Sequence, residues 1–215
     1  MSRRGKITFV LGLATKKDYK LVSIIGILFG LFSLPILENI KIPGWQLTLA
    51  SGALVVVGFL IFAIFSMWVA GLIGLKSPAL FQFAKYGAAG ALSAFLDLGI
   101  LNLFSLIFKI YSGPALLVFN VFSFLVATTN AYFWNKFWAF KKEGDKPNIK
   151  EYARFICVTL TGLVINTAIV FILTTVIGAP AGVSAAVWEN VAKFSAIIPN
   201  VMWNFVGYKF FIFKS

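Results

Sequence analysis

The sequence predicts an all-α integral membrane protein with six transmembrane helices, the last four arranged as two parallel two-helix repeats. Three observations support this prediction. Of the 215 residues, 60% are hydrophobic and only 12% are charged, a balance that water-soluble domains do not have. Uncharged runs long enough to cross a bilayer recur along the chain. Finally, a lysine set among aromatic residues closes two of these runs, at residues 135–140 and 208–213, which is typical of a helix leaving a membrane.

The first 80 residues predict a basic arm followed by a hairpin of two membrane helices. Residues 1–20 carry six lysine or arginine residues around a weakly apolar centre, and they lack the long apolar core and the cleavage site of a secretory signal. The uncharged run at residues 21–37 is just long enough for a first helix. The longer run at residues 47–75 predicts the second helix.

Residues 81–215 predict a second domain of four membrane helices. These helices are expected at residues 83–108, 114–135, 153–177 and 184–213. The polar linker at residues 141–150 divides them into two pairs. Each pair opens with a basic residue, carries a polar residue near its centre and closes with lysine among aromatics, so the pairs are predicted to be repeats related by an axis along the membrane normal. Pro199 is expected to kink or interrupt the last helix, because proline supplies no backbone donor.

The distribution of basic residues predicts the orientation of the chain. In the six-helix arrangement, 16 of the 19 basic residues lie on the side of the N-terminus, which leaves Lys41, Lys109 and Lys193 on the other side. By the positive-inside rule both termini lie in the cytoplasm, and a cell membrane then accounts for the net charge of +12 without a nucleic-acid partner. Glu189 and Lys193 are four residues apart near the start of the last helix, and we expect them to pair at the membrane surface.

Polar residues inside the predicted helices are the candidates for function. Asp97 follows Lys85 by 12 residues, which puts its carboxyl group about 18 Å along the helix and near the bilayer centre. An acid at that depth is costly and is by default a functional candidate. The alternative is that Asp97 is protonated, or bound to an asparagine, and only holds helices together. Amide groups that suit sugar hydroxyls also fall within the predicted helices, at Asn130, Asn166, Asn200 and Asn204.

Small residues on the third predicted helix indicate close helix packing. Gly87, Gly90, Ala91 and Ala94 include pairs that are three and four residues apart. Such spacing puts small side chains on one face, where a neighbouring backbone can approach closely.

The residue inventory argues against catalysis by this chain. It has no histidine, and its aspartates are Asp18, Asp97 and Asp145, which form no closely spaced acidic pair for a metal ion. Its one cysteine, Cys157, excludes an intrachain disulfide. We therefore expect a protein that is not an enzyme and uses no cofactor.

Four stretches of the second domain resemble one known family. They are FAKYGAAGALSAFLDLGIL at 83–101, NAYFWNKFWAF at 130–140, EYARFICVTLTGLVIN at 151–166 and NFVGYKFFIF at 204–213. Together they are similar to the GtrA family of small four-helix membrane proteins and to the membrane portion of some dolichol-phosphate mannose synthases. The resemblance leaves residues 1–80 unexplained. Family members usually carry arginine where Lys136 and Lys209 stand, so a phosphate would meet these lysines as point charges rather than as planar forks.

The resemblance implies a role in the synthesis of cell-surface polysaccharides or other glycoconjugates, in which a polyprenyl-phosphate-linked sugar moves across the membrane. The depth and pairing of the polar residues suggest where such a lipid would bind: its phosphate would meet Lys85, Lys136, Arg154 and Lys209 at the cytoplasmic surface. The sugar would pass a cleft lined by Asp97, Asn130, Asn166, Asn200 and Asn204. A partner membrane glycosyltransferase, the lipid bilayer and further copies of the chain are the other expected partners.

Two other functions stay open from the sequence. A non-transporting subunit that anchors or assists a glycosyltransferase would depend on the cytoplasmic loop and not on Asp97 or Asn204. A small proton-coupled exporter would instead use Asp97 to bind the proton, because Asp97 is the acid expected deep within a helix.

Overall fold

The computed structural model describes residues 12–139 and 149–207, and these residues form six helices and no strand. The helices are α1 (Lys16–Ile40), α2 (Leu49–Gly74), α3 (Pro78–Phe108), α4 (Gly113–Trp134), α5 (Ile149–Phe171) and α6 (Ala185–Gly207). A π-helical turn extends α4 through Asn135–Ala139, and another extends α5 through Ile172–Ile177. The predicted all-α fold is confirmed for these residues.

The helices have the lengths and surfaces that a bilayer requires. Over the described residues, α1 to α5 are long and apolar enough to cross a membrane. α6 is less apolar because it carries Glu189, Asn190 and Lys193, but all three are buried inside the bundle. Its exposed large hydrophobic residues include Val191, Phe194, Ile198 and Met202. α6 therefore also offers lipid an apolar surface, which fits a chain that crosses the membrane six times.

Contacts near the helix ends show that α1 and α3 run in the same direction. α2, which connects them along the chain, runs in the opposite direction. At the start of both helices, Asp18 of α1 lies 2.6 Å from Lys85 of α3. Near their other ends, Asn39 of α1 donates a hydrogen bond of 2.8 Å to Asn102 of α3. We call the side with Asp18 the N-terminal face and the side with Asn39 the opposite face. The compartment that each face meets stays a prediction.

α1 begins at Lys16, five residues before the predicted first helix, because Thr15 and Asp18 form a capping box. The N–H of Asp18 donates to the Thr15 hydroxyl at 3.2 Å, and the N–H of Thr15 donates to Asp18 Oδ2 at 2.9 Å. These bonds satisfy backbone donors that a helix start leaves unpaired. Lys16, Lys17 and Lys20, which the sequence assigns to the basic arm, are therefore helical.

The other helix limits differ from the predicted ones at polar sequence. α3 begins at Pro78, which occupies the first turn of the helix, where its missing N–H costs nothing. α5 begins at Ile149, inside the predicted linker, of which residues 141–148 lie outside the described residues. α6 continues through Pro199, so the proline does not interrupt the helix, and the kink expected there stays a prediction. A membrane helix tolerates such a proline because neighbouring groups satisfy the freed carbonyl.

One hydrophobic core joins the first hairpin to the second predicted domain. α1 packs along both α2 and α3, α3 packs along α4, and α5 packs along α6. Buried residues of α1, α2 and α3 share this core: Val22, Ile25, Ala63, Met67, Leu92 and Leu96. The hairpin thus supports α3 directly, although the domain boundary at residue 80 and the repeat symmetry of the two helix pairs stay predictions.

The close helix approach on α3 lies at Gly99 rather than at the predicted glycines. A Cβ added to Gly99 would lie 2.7 Å from the Cβ of Phe32 on α1 and would overlap the carbonyl oxygen of that residue. A Cβ added to Gly87 or Gly90 would have no neighbour within 4 Å, so the predicted close packing at these two glycines is wrong. Both lie on the exposed side of α3, which the spacing of small residues alone does not reveal.

We predict that Asp18→Ala lowers the free energy of unfolding by about 1–3 kcal/mol, because it removes the Asp18 half of the capping box and the carboxylate that Lys85 and Trp138 contact. Unfolding in mixed micelles of a mild detergent and dodecyl sulfate, followed by far-UV circular dichroism, measures the change. Lys17→Ala, an exposed change in the same turn, is the matched control. Equal stability of the two variants would show that Asp18 does not fasten α1.

Candidate functional site

Polar side chains from four helices meet in the middle of the bundle, and we call this group the central cluster. Its members are Asp97 on α3, Asn120 and Ser123 on α4, Asn166 on α5 and Lys193 on α6. Measured from the helix ends on the opposite face, they lie roughly 10–17 Å into the bundle. Since the hydrocarbon core of a bilayer is about 30 Å thick, the cluster lies near its middle depth.

The central cluster is built around an ion pair between Asp97 and Lys193. The Nζ atom of Lys193 lies 2.8 Å from Asp97 Oδ1, and the Ser123 hydroxyl donates to the same oxygen at 2.6 Å. Lys193 is fully buried, and Asp97 is 6% exposed. Pairing and hydrogen bonding offset much of the desolvation cost that either charge alone would carry at this depth.

Two asparagines complete the surroundings of the Lys193 ammonium group. Lys193 donates a hydrogen bond to Asn120 Oδ1, and Asn166 Oδ1 lies 3.4 Å from the same nitrogen. Asn120 Nδ2 in turn donates to Asn166 Oδ1 and to the Thr167 hydroxyl, each at 3.1 Å. Asn166 Nδ2 is buried and has no acceptor. The cluster therefore contains one buried donor that nothing in the described chain uses.

The predicted pairing of Glu189 with Lys193 at the membrane surface is wrong. Both side chains are fully buried, and Lys193 binds Asp97 instead. Glu189 Oε1 accepts a hydrogen bond of 2.9 Å from the Ser105 hydroxyl of α3, while its Oε2 is buried without a partner. The physical reason is that an ion pair inside the bundle stabilises the buried carboxylate of Asp97, whereas an exposed pair one helical turn apart contributes little.

One sequence signal identifies Lys193 in hindsight. It lies nine residues into the last predicted helix, about 13 Å, so its depth matches that of Asp97. Lys193 and Asp97 therefore share one depth in the membrane, which the four-residue spacing of Glu189 and Lys193 does not reveal. With Lys193 inside the bundle, the opposite face keeps only Lys41 and Lys109 of the three basic residues assigned to it, which makes the charge asymmetry between the faces steeper.

A second group of amides lies closer to the opposite face. Asn39 donates to Asn102 Oδ1 at 2.8 Å, Asn102 donates to Asn190 Oδ1 at 2.9 Å, and Asn190 donates back to Asn102 Oδ1 at 2.8 Å. The Tyr111 hydroxyl donates to Asn39 Oδ1 at 3.2 Å. These bonds join α1 to α3 and α6, as amides that hold membrane helices together do.

Two other predicted site residues lie nearer the N-terminal face and have partners there. Asn130 Nδ2 donates to the Ser93 hydroxyl at 3.1 Å, and Asn130 Oδ1 accepts from the indole of Trp134 at 3.0 Å. Lys85 is bound by the carboxylate of Asp18 at 2.6 Å. A phosphate that reached Lys85 would compete with Asp18 for its charge.

The remaining predicted site residues are placed but not brought together by the described contacts. Arg154 is exposed on α5, and Asn200 is half-buried on α6. Lys136 lies in the π-helical turn after α4, and Asn204 lies in α6. Lys209 falls outside the described residues. Of the nine predicted residues, the structure thus joins Asp97 and Asn166 through Lys193.

Of the aromatic residues that end α4, one is exposed and another attaches α4 to neighbouring helices. Phe137 is exposed, as predicted for a membrane surface, but Trp138 is buried. The indole N–H of Trp138 donates to Asp18 Oδ1 at 2.9 Å, and its ring lies 5.8 Å from the ammonium group of Lys85. This ending therefore ties α4 to α1 and α3. The second ending, at residues 208–213, lies outside the described residues.

The central cluster combines opposite charges with amide groups. It offers one cation, one carboxylate and two amides in apolar surroundings. Among the described residues, no group of three or more histidine, cysteine, aspartate or glutamate side chains could hold a metal ion.

Comparison with protein families finds one match. Residues 85–213 match the family model described as the GtrA/DPMS transmembrane domain. The match covers α3 from Lys85 onward and all of α4, α5 and α6, so every residue of the central cluster lies within it, whereas α1 and α2 lie outside. Comparison with curated proteins and with solved structures finds no match.

Proposed function

The chain belongs to the GtrA/DPMS transmembrane domain family, and we propose that it moves a polyprenyl-phosphate-linked sugar across the membrane. The family assignment and the apolar helices make it a multi-pass membrane protein connected with the synthesis of glycoconjugates from lipid-linked sugars. Translocation is the specific step that we assign to it. It requires a path for a charged phosphate and a hydroxyl-rich sugar through hydrocarbon.

The central cluster is the observation that carries this proposal. Each of the four family helices contributes at least one polar side chain to it, and α3 and α4 meet α5 and α6 there. Many membrane transporters bind their substrates near the bilayer midplane, at the junction of two related halves. Ionisable residues at this depth mark substrate paths by default, because their cost is rarely accepted for packing alone.

The predicted site residues take their roles along this path. Asp97 and Asn166 belong to the central cluster, and Asn130, Asn200 and Asn204 would offer amides to the sugar between the cluster and the N-terminal face. Lys136, Arg154 and Lys209, with Lys85 once Asp18 has left it, would meet the phosphate at that face. The polyprenyl tail would stay in the surrounding lipid.

Translocation is tested with the purified full chain in vesicles that hold radiolabelled farnesyl-phosphoryl-glucose in the inner leaflet. Periodate added outside oxidises only glucose that has crossed. We expect the vesicles with protein to expose the sugar at least about tenfold faster than empty vesicles. Asn166→Leu should lower the rate with protein about tenfold, as expected for the loss of one hydrogen bond between Asn166 and the lipid-linked sugar. Val118→Leu, a change on the lipid-facing side of α4, is the control. Exposure no faster than in empty vesicles would refute translocation.

A non-transporting subunit is the second candidate, and one observation favours it. The central cluster is almost completely buried and carries a balanced pair of charges, as a purely structural network would be. Such a subunit would raise the activity of a co-reconstituted polyprenyl-phosphate glycosyltransferase while leaving the vesicle assay at its background rate. Proton-coupled export through Asp97 has less support, because Lys193 already neutralises that carboxylate.

A further inference from the structure

We propose that Lys193 binds the phosphate group of the lipid-linked sugar in the middle of the bundle, and that Asp97 is the counter-ion that Lys193 exchanges for this phosphate. The identity of the ligand rests on the proposed function. The exchange itself rests on the geometry of the central cluster.

The position of Asp97 Oδ1 has the donors of an anion site. The Lys193 ammonium group and the Ser123 hydroxyl both point to this one oxygen, at 2.8 and 2.6 Å. A phosphate oxygen accepts the same two hydrogen bonds, and lysine is a common phosphate ligand that acts as a point charge. The Asp97 carboxylate therefore occupies the place where a phosphate oxygen would bind.

An unused donor on a side chain that contacts Lys193 supports a ligand with more oxygens than a carboxylate. Asn166 Nδ2 is buried without an acceptor, while the Oδ1 of the same amide lies 3.4 Å from Lys193 Nζ. A buried donor without a partner costs about 1–3 kcal/mol, so its presence in a native site needs a reason. A phosphate bound to Lys193 brings additional oxygens to which such an amide can donate.

The charges make the exchange reversible. Lys193 is the one cation that the described contacts place in the cluster. In this structure its Nζ atom is paired with Asp97 Oδ1 at 2.8 Å. Glu189 lies one helical turn before Lys193 on α6 and has the Ser105 hydroxyl as its partner. Tyr111 is the other titratable group near Glu189. A second anion gains the full charge of Lys193 by displacing Asp97, and the return of Asp97 releases that anion. Competition of this kind prevents a transported ligand from binding too tightly to leave.

The test measures binding of farnesyl phosphate to the purified full chain in detergent by isothermal titration calorimetry. Asp97→Asn removes the competing carboxylate, so we expect it to bind farnesyl phosphate about tenfold more tightly than the unchanged chain does, a difference of about 1.4 kcal/mol. The double variant Asp97→Asn with Lys193→Gln keeps the cluster neutral, and we expect its binding to fall to the level of farnesol, which has no phosphate. Unchanged affinity in Asp97→Asn, or retained affinity in the double variant, would overturn the proposal.

A second measurement covers the case in which Asp97→Asn is unstable. Because a ligand of the folded state raises its stability, farnesyl phosphate should raise the melting temperature of Asp97→Asn more than that of the unchanged chain. An equal or smaller rise would contradict the proposal. Glucose 1-phosphate and inorganic phosphate distinguish the source of the ligand: we expect farnesyl phosphate to bind more tightly than both, and equal binding of all three would show that the site takes free phosphate and not the lipid.

The vesicle assay separates this proposal from the proposed function. Asp97→Asn should bind more tightly and yet expose glucose more slowly, because nothing displaces the phosphate from Lys193. If the unchanged chain does not translocate but the binding pattern holds, the proposed function fails and the phosphate site stands. If the unchanged chain and the double variant translocate equally fast, the phosphate site fails and the proposed function stands.

Discussion

Lys193→Met is expected to lower the free energy of unfolding by about 3–5 kcal/mol, because it leaves the Asp97 carboxylate buried without a cation. Methionine keeps the length and much of the volume of the side chain, so the loss comes from the charge and not from a cavity. Unfolding in mixed dodecyl sulfate micelles, followed by far-UV circular dichroism, gives the difference from the unchanged chain.

A second substitution separates the lost ion pair from other effects of the change. Asp97→Asn added to Lys193→Met removes the unpaired charge, and we expect the double variant to recover most of the loss, since a neutral replacement of a buried pair is often nearly as stable. Lys20→Met, at an exposed position of α1, is the matched control and should stay within about 0.5 kcal/mol of the unchanged chain. A loss at Lys193 no larger than that at Lys20 would show that the Asp97–Lys193 pair does not stabilise the folded chain.

The sequence predicts the helices well where long apolar runs decide them and less well where polar contacts do. The runs at residues 47–75 and 114–135 match α2 and α4 to within two residues at each limit, apart from the π-helical turn after α4. The start of α1 depends instead on the Thr15–Asp18 capping box, a local pair of hydrogen bonds that hydropathy does not register. Helix limits set by side-chain chemistry are therefore the ones that a count of apolar residues misses.

The central cluster could be predicted only in part, because its key contacts join distant parts of the chain. Asp97 and Asn166 stand out as polar residues within apolar runs, and the structure places them in one cluster. Lys193 is 96 residues from Asp97 along the chain, and its nearer neighbour Glu189 offers an obvious but wrong partner. Asn120 and Ser123 have no distinctive sequence pattern, since amides and hydroxyls are common in membrane helices.

The structure also gives the N-terminal hairpin a role that the sequence leaves unexplained. α1 is held to α3 at both faces, by Asp18 on Lys85 and by Asn39 on Asn102. Between these two contacts it lies against Gly99, two residues from Asp97. The hairpin thus fixes the helix that carries the acid of the central cluster. A change in how α1 packs on α3 would therefore act on the helix that carries Asp97.

Gly99→Val is expected to lower the free energy of unfolding by about 3 kcal/mol or more, because its side chain would overlap the backbone of α1 at Phe32, which has no flexible end that can move aside. The matched control is Gly90→Val on the same helix, where an added Cβ meets nothing within 4 Å. Both changes replace a helical glycine with the same β-branched residue, so the difference between the two variants isolates the packing of α1 on α3. The same unfolding measurement in mixed micelles decides it.

Gly99→Val should also change the central cluster, whereas a purely local clash would not. If α1 holds α3 in place, the variant should bind farnesyl phosphate more weakly than Gly90→Val does, at temperatures where both are folded by circular dichroism. Equal binding together with reduced stability would limit the hairpin to a role in folding. Equal stability of the two glycine variants would show that α1 and α3 do not pack this closely in the membrane, and the support that we assign to the hairpin would then fail with it.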